Sequence, residues 1–110
     1  MTTKQVNKIG FGSLRVNKVN DDMAEVFVYG DIGGWMDGVD AKEFARELKA
    51  LKVTDITARI NSGGGSVFEG QAIYNSLVNH PAKVNVVIDG IAASIASVIA
   101  MAGDNISITE

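Results

Sequence analysis

The sequence predicts an α/β fold built on a parallel sheet, and three observations carry that reading. Short runs rich in β-branched and aromatic residues alternate with segments of helical apolar spacing. These strand–helix units recur about every 25 to 30 residues, the length of a strand plus its crossover. Glycine-rich or small-residue stretches follow two of the strands, "NSGGGS" after "DITARI" and "DGIAAS" after "KVNVVI". Strand, helix and strand in repeated succession imply parallel strands joined by right-handed crossovers.

Each element has its own signal. Residues 1–22 are polar, with a weak apolar alternation at Phe11, Leu14 and Val16, and read as an N-terminal arm holding one short strand. The main domain then occupies 23–110. "MAEVFVYG" alternates and predicts a strand at Met23–Tyr29. "DIGGWMDG" is a glycine-rich loop in which Trp35 packs or sits at an interface. Val39, Phe44, Leu48 and Leu51 share one face of a helix over Val39–Leu51, whose other face is charged. Ile56–Ile60 is the next strand, and Val67–Asn79 a second helix with Ile73 and Leu77 inward, stopped by Pro81. Val84–Ile88 is a third strand, Ser94–Ala102 an alanine-rich third helix, and "NISIT" begins a fourth strand.

Composition excludes several function classes. The chain has 110 residues, the size of one domain, and 46% of them are hydrophobic, enough for a real core. A net charge of −3 gives no electrostatic attraction for nucleic acid. With no cysteine and His80 as the single histidine, disulfides, thiolate metal sites and histidine-rich metal sites are excluded, and no cofactor is expected. Asp31, Asp37 and Asp40 lack calcium-loop spacing. The longest apolar candidate, Ile88–Ala102, is too short for a membrane span and is broken by Asp89 and Gly90. "MTTKQVNK" is not a secretory signal, so the chain reads as cytoplasmic.

Chemistry is expected at the carboxyl ends of the strands. Three consecutive glycines, Gly63, Gly64 and Gly65, leave bare backbone whose N–H groups can turn toward a ligand. No Lys–Ser/Thr pair follows them, which argues against a phosphate loop. Ser94 stands where the third helix begins, so its hydroxyl and the Ile95 N–H can face one space. A nucleophile beside N–H donors is the layout of acyl transfer. Taken alone, Ser94 reads first as a helix cap. Ser62 and Ser66 read as loop hydrogen-bonders, and Ser97, one turn into the helix, as packing. The small neighbours Ala92, Ala93 and Ala96 let the helix lie close to the sheet.

The combination is more specific than its parts. "INSGGGSVFEGQAIYNSL" followed by "VVIDGIAASIASVIAMAGD" resembles the ClpP family of serine peptidases, and within it the ClpP-related proteases of phage and prophage head maturation. Ile60, Asn61, Ser62, Gly64 and Gly65 match the first motif, with Gly63 in place of the usual proline. Ile73 and Tyr74 match the helix, and Gly90, Ala92, Ala93 and Ser94 the nucleophile motif. The resemblance covers about Val26 to the end. It implies the ClpP/crotonase-like spiral of β-β-α units, Ser94 as nucleophile, the N–H groups of Gly65 and Ile95 as oxyanion hole, and Gly64, Ser66 and Val67 as substrate-binding. It also implies a polypeptide substrate, homo-oligomeric rings, and a setting in the bacterial host cytoplasm or the phage prohead.

One departure is large. A serine nucleophile needs a base, and the family's histidine and aspartate fall beyond Glu110, sixteen residues after Ser94. His80 sits at the far end of the second helix, at the amino end of the next strand, opposite Ser94. The expectation is therefore the front part of a longer peptidase, inactive by itself. Two other classes remain open: a crotonase-like enzyme using two N–H groups on acyl-CoA thioesters, and a non-catalytic assembly piece.

Overall fold

The structure, a computed structural model, describes residues 14–32 and 41–109. In chain order the elements are β1 (Leu14–Lys18), β2 (Met23–Ile32), α1 (Ala41–Ala50), β3 (Asp55–Gly65), α2 (Val67–Val78), β4 (Lys83–Ala92), α3 (Ile95–Ala100) and β5 (Asn105–Ile108). Phe11, Trp35, Asp37, Val39 and Asp40 lie outside the described residues.

Period-two burial builds the sheet. Ala24, Val26 and Val28 of β2, Ile56, Ala58 and Ile60 of β3, and Val84 and Val86 of β4 are all buried, while the residues between them are half-exposed. The buried row packs on Phe44 and Leu48 of α1, Ile73 and Leu77 of α2, and Ile95, Ala96 and Ile99 of α3. The strands lie in sequence order, β1-β2-β3-β4-β5. β2 to β5 are parallel neighbours, and β1 is an antiparallel edge strand on β2. The short strand expected inside the N-terminal arm is thus part of the main sheet, because Leu14 reaches the core and pairs with Val28. Strands that advance in one direction with right-handed crossovers carry their helices on one face. The α/β order and the parallel strands agree with the sequence reading.

Two expectations change. "NSGGG" is not a loop: β3 runs on to Gly65, because Asp31 and Ile32 of β2 pair with Gly64 and Gly65. "DGIA" likewise belongs to β4, since Ala92 pairs with Ser62. Glycine at Gly64 (φ 113°) and Gly65 (φ 150°) allows this extended but left-handed path. The third helix is also shorter than expected, Ile95–Ala100, with Ser94 outside it. Among the described residues no helix is long and apolar enough to cross a membrane.

Candidate active site

The site begins where the three central strands lose register together. Between Ile60 and Ser62, β3 advances two residues while β4 goes from Ile88 to Ala92, so Asp89, Gly90 and Ile91 bulge opposite Asn61 alone. Asn61 covers the lost ladder bond, its Oδ1 accepting from the Ile91 N–H at 3.2 Å. Gly90 makes room for it: a Cβ there would stand 2.5 Å from the same oxygen. On the other side of β3, Tyr29 pairs with Asn61 and Asp31 with Gly64, so β3 carries an extra residue against β2. Ser62, 1% exposed, bridges that step; its hydroxyl donates to the Gly30 carbonyl at 2.6 Å and accepts from the Gly64 N–H at 3.1 Å. Bulges of this kind bend the strand and re-aim the side chains beyond them. Here they deliver the glycine segment of β3 and the turn after β4 to one place.

Ser94 occupies that turn. Its φ of 56° and ψ of −131° make it the one non-glycine residue with positive φ among the described residues. Those angles are those of the first central residue of a type II′ turn, and the Ala96 N–H closes the turn on the Ala93 carbonyl at 3.0 Å. The Ser94 hydroxyl does not cap α3, and Ser94 is exposed. Ser94 thus stands at the N-cap position of α3 without the side-chain cap bond that the helix-cap reading requires. The Ser94 carbonyl is held by Ser97, which donates its N–H at 3.0 Å and its hydroxyl at 2.6 Å. Ser97 is exposed and bonds to the turn, rather than packing as the sequence suggested.

Gly64 lies directly under Ser94. A Cβ on Gly64 would come within 2.7 Å of the Ser94 Cβ and 3.1 Å of its Oγ. Gly65 is hemmed in from the other side, its Cβ position lying 2.3 Å from the Ile32 carbonyl oxygen. The Ser66 N–H donates to that carbonyl, toward β2, at 2.8 Å. Successive amides of a strand point to opposite edges, so the Gly65 N–H faces the β4–α3 side, where Ser94 sits. The Ile95 N–H, first of α3, has no intrahelical acceptor. Ile95 itself is 7% exposed and seated against α2, where a Cβ on Gly70 would meet it at 2.3 Å.

The other predicted residues divide. Ser66 caps α2, its Oγ accepting from the Glu69 N–H at 3.2 Å. Val67, in the first turn of α2, is 66% exposed. Glu69 accepts from the Ala41 N–H at 2.7 Å and so ties the start of α2 to the start of α1. His80 is remote. Its Nδ1 accepts from the Ala82 N–H at 3.0 Å and its Nε2 donates to the Leu51 carbonyl at 3.2 Å. Lys83–Ala92 separates it from Ser94, roughly 30 Å of strand at about 3.3 Å per residue.

Sequence reasoning missed a charged cluster on the opposite sheet face. Arg59 of β3 grips Asp89 of β4 in fork geometry, Nε to Oδ2 at 2.9 Å and Nη2 to Oδ1 at 2.8 Å. Tyr29 of β2 donates its phenol to Asp89 Oδ2 at 2.5 Å. Glu25 stands 3.8 Å from Arg59 Nη1. The hydrogen bond from Arg59, then that from Tyr29, hold the Asp89 carboxyl below its ordinary range. Burial, and then the neighbouring carboxylate, raise the Tyr29 phenol. Tyr29, Arg59 and Asp89 fall 30 residues apart, one strand–helix repeat each time, and the register then brings them together on one face.

A mixed α/β sheet whose strands advance in sequence order, with its helices packed on it, has the ClpP/crotonase-like fold. Residues 15–107 match the Clp protease family, and the chain belongs to it. The ATP-dependent Clp protease proteolytic subunit of Ligilactobacillus salivarius (strain UCC118) is 38% identical over 86 residues, 78% of this chain and 37% of that protein. A ClpP1 mutant from Listeria monocytogenes superposes with a TM-score of 0.60 at 27% identity, covering 76% of this chain and 47% of the other. An assigned enoyl-CoA hydratase from Streptomyces coelicolor A3(2) gives 0.58 at 18% identity, covering 89% and 46%, a likeness of fold alone. The chain spans less than half the length of these relatives.

Proposed function

We propose that this chain carries the nucleophile and oxyanion hole of a Clp-type serine endopeptidase. The observation that carries the reading is the backbone of Ser94: a serine held at φ 56° with its hydroxyl free of any cap bond and its Cβ side against Gly64. A strand-to-helix turn of this kind presents a hydroxyl outward for attack. In the proposed reaction the Ser94 oxygen bonds to the carbonyl carbon of a peptide. The carbonyl oxygen takes the negative charge between the N–H groups of Gly65 and Ile95. Ser94 gives its proton to a base, that proton passes to the leaving amine, and water then hydrolyses the acyl-enzyme. Gly64 and Val67 flank the bound peptide, and Ser66 serves it indirectly by fixing the start of α2.

His80 does not fit the base, since both of its ring nitrogens are engaged at the other end of β4. The base is a histidine from outside these 110 residues, oriented by an aspartate, and the working enzyme is a homo-oligomer. The motif spelling supports placement with the phage and prophage head maturation proteases, acting on polypeptide in the host cytoplasm or the prohead. A fluorophosphonate probe tests the reading. Slow labelling at Ser94, absent in Ser94→Ala and unchanged in His80→Ala, is expected. Retention of coenzyme A with no Ser94 labelling would instead favour acyl-CoA chemistry.

A further inference from the structure

We propose that Arg59, Asp89 and Tyr29 are positioning residues for the Ser94 site: by gripping the first residue of the β4 bulge from two neighbouring strands, they fix where β4 turns toward Ser94. The functional meaning of this assignment rests on the hydrolytic reading, but its geometry does not.

The argument starts from what a bulge lacks. Asp89, Gly90 and Ile91 have one residue, Asn61, opposite them on β3. Ladder hydrogen bonds cannot choose how much chain is looped out there, and a slip of one residue would invert every side chain beyond. Asn61 marks the far end of the bulge, at Ile91. The near end is marked by Asp89, held by both fork nitrogens of Arg59 and by the Tyr29 hydroxyl. An apolar contact tolerates a shifted partner. A planar guanidinium on a carboxylate does not, because the two parallel bonds form in one geometry.

The cluster also sits at the right place. Arg59 lies on the strand that ends in Gly64 and Gly65, and Asp89 on the strand that leads to Ser94. The pair therefore joins the two halves of the site directly, with Arg59 five residues before Gly64 and Asp89 five before Ser94. Tyr29 adds β2, whose Ile32 backs Gly65. With a side-chain exposure of 14%, Asp89 is poorly solvated, so a slipped register would strand its charge. The cluster thus selects one bulge register rather than simply adding stability.

Nuclear magnetic resonance on the 110-residue chain separates these roles. Asp89→Asn and the double variant Arg59→Met/Asp89→Leu are compared with the parent. The apolar pair preserves bulk and so keeps thermal stability close to that of the parent. The expected result is that both variants weaken the proton contact between Gly64 and Ser94. The Ile91 amide should exchange with solvent at least about tenfold faster, while amides of Ile56–Ile60 keep their protection. An unchanged Gly64–Ser94 contact and Ile91 protection in both variants would overturn the proposal. So would a uniform loss of protection across the sheet, which marks a purely structural pair. Fluorophosphonate labelling of the same samples tests the hydrolytic reading separately: a parent that never labels removes that reading, while the resonance data still decide the clamp.

Discussion

Ser94 is where local preference is overruled. A non-glycine residue in its backbone region carries a strain of order 1–3 kcal/mol, and it persists because Ala96 and Ser97 hold the turn and Ile95 is anchored in the core. Ser94→Gly should therefore raise the melting temperature while removing all Ser94 labelling, whereas Ser94→Ala removes labelling without the stability gain. A calorimetric scan of the two variants checks this; equal melting temperatures would mean that Ser94 is not strained. Gly65 makes the opposite case. A methyl group there meets the Ile32 backbone at 2.3 Å, which cannot move aside as a side-chain tip can. Gly65→Ala should cost at least about 2 kcal/mol, since it combines a left-handed φ with a backbone clash. Denaturant titration gives the number, and a loss inside the range of about ±0.5 kcal/mol for neutral surface changes would refute the placement.

At the level of elements, Asp89 gives a pH prediction whose sign comes from its depressed carboxyl. A group held below its unfolded value stabilises the fold above that value, about pH 3.9 for aspartate, and loses the contribution as pH falls through the folded one. The stability gap between the parent and Asp89→Asn should be constant from about pH 5 to 7 and close below about pH 4. Urea midpoints across that range test it; a gap that persists at low pH would mean that the charge is not what holds the cluster. Helix caps are tested in the same way: Ser66→Ala should cost about 1 kcal/mol, and Ser94→Ala nothing by this route. The elements themselves were legible because strands with one buried face alternate and helices repeat, as at Val26–Val28 and Phe44–Leu48. Their carboxyl ends were not. Glycine-rich and small-residue runs read as loops, yet Gly64, Gly65 and Ala92 pair as strand. Ser94 and Gly64 were visible by motif, whereas the motif that contains Asn61 and Ser62 says nothing of their bridging roles. The Arg59–Asp89–Tyr29 cluster follows the 30-residue strand–helix repeat, but its contacts were invisible, because bulge register is set by three strands at once.

For the whole molecule, the open apolar edge is β5. Its four residues are all exposed, although Ile106 and Ile108 pair in register with Val86 and Ile88 of β4. Side chains in register with the buried row of β4 point to the helix-bearing face, yet Ile106 is 51% and Ile108 69% exposed, as Met101 at the end of α3 is at 69%. Every strand edge that is open and apolar is a template for another chain, and apolar patches of this kind are seldom left to water. The 110-residue chain should therefore self-associate with rising concentration through β5 and the end of α3. Ile106→Lys/Ile108→Lys should abolish that association. It should leave the melting temperature nearly unchanged, since neither side chain is buried in the single chain. Ser94 labelling should persist, because Gly64 and Ser94 are held by β2, β3 and the β4–α3 turn rather than by β5. Sedimentation velocity over a wide range of concentration distinguishes the outcomes. A parent that stays monomeric throughout, or a double-lysine variant that associates as strongly as the parent, would show that this face is not where a further polypeptide joins the fold.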